Sequence, residues 1–142
     1  MLAIRTIHLL AMAVVLGGAV ATWQFCRRSE VSAATALAVA AGYERAFWAA
    51  VGLLVVTGVG NLGSIAPHVP IAETEWGTVF VLKLLALVGF LAVSQVRTLA
   101  VHRLRLADSG SEGGRRMLRV SYGATAVWLA AIVVTAGVLA HG

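Results

Sequence analysis

Four stretches of this 142-residue chain are almost free of charge: Ile7 to Phe25, Ala46 to Ala72, Gly77 to Val96, which Lys83 alone interrupts, and Val120 to Gly142. Each holds the roughly 20 apolar residues that a helix rising about 1.5 Å per residue needs to cross a hydrocarbon core. The composition agrees, since 60% hydrophobic and 12% charged residues lie far outside the soluble globular range. In lipid the backbone must satisfy its own hydrogen bonds, and runs this long suit helices rather than the short alternating strands of a barrel. The sequence therefore predicts an all-α integral membrane protein. It is read as a single transmembrane domain over residues 1–142, a four-transmembrane-helix up-down bundle with helices near 3–25, 42–63, 77–101 and 117–140. The first run ends in the cleavage-like Ala19-Val20-Ala21, and is read as a spanning helix rather than a removed signal.

The connections differ in chemistry. Ser29 to Gly42 is rich in alanine and serine, which predicts a helical extension of the second span. Pro67-His68-Val69-Pro70 forces a turn, and Asp108 to Gly114 is a solvated Ser/Gly link between basic helix ends.

Cationic residues set the expected orientation. Arg27, Arg28 and Arg45 flank the first connection, and Arg97, Arg103, Arg105, Arg115, Arg116 and Arg119 flank the third, whereas the second has neither lysine nor arginine. Connections one and three are then cytoplasmic and both termini extracytoplasmic, in a multi-pass protein of the cytoplasmic membrane of a prokaryote. Trp23, Tyr43, Trp48 and Tyr122 are read as an inner aromatic belt and Trp76 as an outer one. The net charge of +5 sits at helix ends, so it points to anionic lipids at the inner face and not to nucleic acid.

Within this frame His8 and Lys83 lie about 7 to 10 Å inside their helices from the outer face. Ionisable groups at that depth face the bundle interior, pair, or line a wet cavity, so both are candidate site residues. The alternatives are a snorkelling lysine and a histidine bonded to a neighbouring helix. His68 and His141 share the outer side, and neutral imidazole ligates copper, zinc and haem iron; Glu73 and Glu75 lie near His68 in sequence. Met12 is the one deep thioether, with Met117 and Cys26 at the inner edge, too few for a Cu(I) path across the membrane. His102 is expected among lipid head groups, Asn61 near the level of His8, and Trp128 inside the bundle, against another subunit or against a cofactor. The glycines at 17, 18, 58, 60 and 63 read as close helix contacts.

The single cysteine excludes an internal disulfide and a CxxC motif. No hydrolytic constellation or phosphate loop is present, so a self-contained enzyme is not expected. Asp and Glu are absent from the four apolar runs, which argues against a carboxylate proton relay.

Ile7-His8-Leu9-Leu10-Ala11 with Leu16-Gly17-Gly18, then Thr57-Gly58, then Trp76-Gly77 with Leu82-Lys83-Leu84, resembles the copper-resistance protein D (CopD) family and, more distantly, the HemJ type of protoporphyrinogen oxidase. The likeness runs over most of the chain, although Val14-Val15-Leu16 stands where a tryptophan often precedes the Gly-Gly pair. The resemblance implies copper uptake or resistance or, by the HemJ branch, b-type haem held by a histidine of the first helix with a lysine of the third nearby. Those positions are His8 and Lys83 here. Three functions follow as expectations. The first is copper handled at an outward-facing site of His8 with His68 or His141. The second is a haem-b electron-transfer subunit with His8 as axial ligand, a second ligand from His141, His68 or Lys83, and Arg5 or Lys83 facing a propionate. The third is a cofactor-free accessory subunit packed against other membrane subunits.

Overall fold

The computed structural model describes residues 2–65, 75–107 and 111–141, with side chains over 2–60, 77–78, 81–82, 84–107 and 111–134. Four helices account for nearly all of them: α1 (Leu2–Arg27), α2 (Ala33–Ile65), α3 (Glu75–Leu106) and α4 (Glu112–His141). Each contains a segment long and apolar enough to cross a membrane, and the described residues contain no strand. The helices extend past the hydrophobic runs. α2 begins at Ala33, so the alanine-rich connection is helix, as its composition predicts.

The helix ends follow from local chemistry. Ser32 precedes α2 and accepts a hydrogen bond from the Thr35 backbone N–H at 3.1 Å. Ser111 precedes α4 and does the same for Gly114 at 3.2 Å, so a serine N-cap starts both helices. The end of α1 is capped in trans: the Arg115 guanidinium donates to the carbonyl of Cys26 at 3.1 Å and to that of Arg28. A cation there also complements the negative end of the helix dipole.

The bundle is built inside out relative to a soluble protein. Leucines and valines such as Leu9, Val56, Leu85, Val88 and Val134 are exposed, whereas small residues (Ala11, Ala19, Ala36, Ala40, Ala50) and polar ones (Thr22, Glu44, Thr57, Ser94, Arg97, Thr125) are buried. This is the pattern expected where lipid competes for apolar surface and where close approach and interhelical hydrogen bonds hold helices together. α1 packs most extensively on α2 and next on α4, while α3 packs on α2 and α4 and does not meet α1 among the described residues. α2 and α4 also touch, so they form the short diagonal of the bundle.

Gly18 is where α1 and α2 come closest around a ring. A methyl group there would sit 2.5 Å from the Tyr43 side chain, whereas at Gly17 nothing lies within 4 Å. Of the expected glycine contacts among the residues with described side chains, Gly18 is thus the one that packing requires, and Gly63 lies outside them. A Cβ at Gly58 or Gly60 would make ordinary contacts of 3.8 Å. Gly123 of α4 plays the matching part for Trp23, whose Nε1 would lie 2.9 Å from an added methyl.

The packing shows which way the aromatic residues face. Tyr43 and Tyr122 are buried in the bundle, and Trp48 is half-buried with its indole N–H donated to Thr98 at 3.0 Å. Tyr43 meets Tyr122 edge-on and Phe47 at a tilt, and Trp48 meets Phe47 edge-on, so these rings face the bundle. Trp128, expected inside the bundle, against another subunit or against a cofactor, packs edge-on against Phe90 of α3 at 6.0 Å and is 38% exposed.

Candidate functional site

His8 faces α2 from the second turn of α1. Its Nδ1 lies 2.8 Å from Thr57 Oγ1. The Thr57 hydroxyl also lies 2.6 Å from Leu53 O of its own helix; when it donates its one proton there it accepts from His8, and Nδ1 then carries the hydrogen. In the neutral ring the lone pair is then on Nε2. Thr57 is buried and His8 half-buried, with Gly58 beneath the imidazole edge. A fixed tautomer and ring orientation are what a metal-ligating histidine receives from its supporting partner. Met12, one turn along α1 and also half-buried, shares a helix face with His8 through the i, i+4 spacing.

The remaining expected site residues distribute differently. Arg5 is exposed on α1. Lys83 belongs to α3, which does not meet α1 among the described residues, and its side chain lies outside them. His141 ends α4 with its side chain likewise outside the described residues. So do the Asn61 side chain and all of His68, Glu73 and the Pro67 to Pro70 turn. His102 is exposed toward the end of α3, and Cys26 is buried at the end of α1. No group of three or more His, Cys, Asp or Glu that could hold a metal ion occurs among the described residues.

A second constellation was not anticipated. Glu44, three turns into α2, is 5% exposed, as is Arg97 of α3. Arg97 Nε donates to Glu44 Oε1 at 2.7 Å and Nη2 to Oε2 at 3.3 Å. Tyr122 of α4 donates its hydroxyl to Oε1 at 2.6 Å, and the Thr98 hydroxyl donates to Oε2. The third guanidinium nitrogen donates to Thr125 Oγ1 at 2.8 Å. The guanidinium lies over the rings of Phe47, Tyr122 and Tyr43, with centroids 4.6, 5.1 and 5.6 Å away. Tyr43 in turn donates to the Val15 carbonyl at 2.7 Å, which joins α1 to the same level.

Both charges are therefore fully engaged: the carboxylate accepts from four donors, and the guanidinium is bidentate on it and sandwiched by aromatic faces. Such an arrangement can bear the desolvation cost of a buried ion pair. It ties four helices together where hydrophobic burial provides little force. α2 carries a buried acid, Glu44, just ahead of its apolar run, and Arg97 turns into the bundle instead of joining the exposed cations at the basic end of α3. Local composition hides this, because Glu44 adjoins Arg45 at the edge of the apolar run and Arg97 reads as the first of a basic helix end. The usable signal was the predicted extension of α2, which moves Glu44 from a helix terminus to its interior.

A family model described as copper resistance protein D matches residues 37–139. The match covers Glu44, Thr57, Lys83, Arg97 and Tyr122 and begins after His8. No curated protein matches the chain, and no solved structure does.

Proposed function

The chain belongs to the copper resistance protein D family, a multi-pass membrane protein related to copper resistance, and on that premise we propose that it handles copper at an extracytoplasmic site containing His8. The observation that carries this reading is the His8 to Thr57 hydrogen bond, which orients the imidazole; with the proton on Nδ1, Nε2 is the atom that would ligate the metal. Copper is the cargo here. Met12 on the same helix face adds a soft thioether, which suits Cu(I), and His68 and His141 are proposed to complete the site from the outer connection and the end of α4. Lys83 is proposed to stand near this site from α3.

The outward orientation rests on the arginines. With Arg97 removed from the count, Arg27, Arg28 and Arg45 at one connection and Arg103, Arg105, Arg115, Arg116 and Arg119 at another still share one end of the up-down bundle. Only Arg5 lies at the other end. The positive-inside rule favours the arginine-rich end in the cytoplasm, and the proposed location is the inner membrane of a prokaryote.

Metal analysis and an absorption spectrum of the purified protein, repeated for His8→Ala, test the proposal. Copper bound by the native chain and lost from a folded His8→Ala variant is the expected result. A haem spectrum from haem-sufficient cells would replace copper by the haem-b reading, with Lys83→Ala locating its second ligand. Neither metal, together with co-purifying membrane subunits, would leave the accessory role.

A further inference from the structure

At the end of the bundle where α1 stops and α4 starts, a cleft of about 560 Å³ is walled by Arg27, Arg115, Arg116 and Arg119. Their duties differ. Arg115 is committed to capping α1, and Arg27 lies over the Trp23 ring at 4.5 Å. Arg116 and Arg119 are exposed, one turn apart on α4, and have no ion-pair partner among the described residues. One carboxylate, the exposed Glu112, lines the same cleft 3.9 Å from Arg115. Four cations against one anion in a concave site call for an anionic ligand. Two guanidinium forks a turn apart suit the oxygens of a phosphate.

A second concavity, about 450 Å³, begins where the first ends. The two share Gly113 and Arg116, and the second runs down α4 past Met117, Val120 and Ala124. These positions follow the i, i+4, i+7, i+11 stripe of one helix face, and Met117, Val120 and Ala124 are all exposed. A basic cleft continuous with a shallow, open apolar face running along a membrane helix has the polarity of an amphiphile. Basic pockets between transmembrane helices hold lipid head groups in this way.

We propose that the cleft and groove together bind one phospholipid with an anionic headgroup, its phosphate between Arg116 and Arg119 and an acyl chain along Met117, Val120 and Ala124. A free phosphate shares the headgroup chemistry but leaves the groove unexplained. The proposal does not depend on the copper site, which lies at the opposite end of α1.

The test is native mass spectrometry of the full chain released from membranes of phosphatidylglycerol and phosphatidylcholine, counting retained lipid. One phosphatidylglycerol retained in preference to phosphatidylcholine is expected. Arg116→Gln with Arg119→Gln should weaken that retention about ten-fold or more, the scale of two charge-assisted hydrogen bonds, while Arg103→Gln with Arg105→Gln, an equal loss of charge on α3, should leave it nearly unchanged. Ala124→Phe, on an exposed helix face, should weaken retention without touching an arginine and gives a separate reading if the double variant is poorly folded. Equal loss in both arginine pairs would mean diffuse surface charge and overturn the proposal. So would displacement of the lipid by millimolar inorganic phosphate with no effect of Ala124→Phe, which would assign the cleft to a free anion.

Discussion

Glu44 and Arg97 show how a membrane helix can carry a full charge at low cost to the fold, provided that every lone pair and proton is matched. Removing one partner exposes the cost. Glu44→Ala leaves a buried guanidinium without its counter-ion and should destabilise the folded protein by about 3–5 kcal/mol, read as a lower unfolding midpoint in detergent. Glu44→Gln keeps the shape and should lose less. At the other end of α2, Thr57→Val keeps the volume of the side chain but removes the hydroxyl that bonds His8 Nδ1. If His8 ligates copper, that variant should bind it about 10- to 100-fold more weakly while folding normally, and Thr57→Ser should retain most of the affinity. A copper titration separates the two. His8 itself was legible in the sequence as an ionisable group at depth. Thr57 was legible only as part of a family-like Thr-Gly pair, because its supporting role depends on which face of α2 meets α1.

At the scale of elements, α1 and α2 form the most extensive pair, and the contact is set by one glycine. In Gly18→Ala the new methyl would meet the Tyr43 ring at 2.5 Å. The ring cannot swing away without breaking its hydrogen bond to Val15. An overpacking cost of about 1–3 kcal/mol is expected, against little change for Gly17→Ala, where the space is open. Thermal unfolding of the two variants side by side is the check. The Gly17-Gly18 pair was visible as a close-packing signal, but the sequence has no means of ranking its two members. Only the rotation of α1 about its axis does so, by presenting Gly18 to Tyr43.

For the whole molecule, the four-helix architecture and the arginine distribution make a topology testable without reference to function. In a Cys26→Ser background, a membrane-impermeant thiol reagent applied to intact cells should label Thr74→Cys and spare Ser29→Cys, which becomes reactive once the membrane is opened. The reverse pattern would invert the bundle and turn the His8 end toward the cytoplasm.

Hydropathy adds up along a contiguous run, so the sequence by itself determined that there are four spanning helices, that the Ala/Ser connection joins α2, and which helix ends are basic. Burial of an individual side chain is not additive in that way. Whether Arg97 joins the basic end of α3 or turns inward to a carboxylate 53 residues away depends on the faces that α2, α3 and α4 present to one another, as does the turning of Tyr43 and Tyr122 into the bundle. Only the tertiary structure decided these, because a buried charge is stabilised by partners drawn from several helices at one level, and a linear pattern records no such meeting.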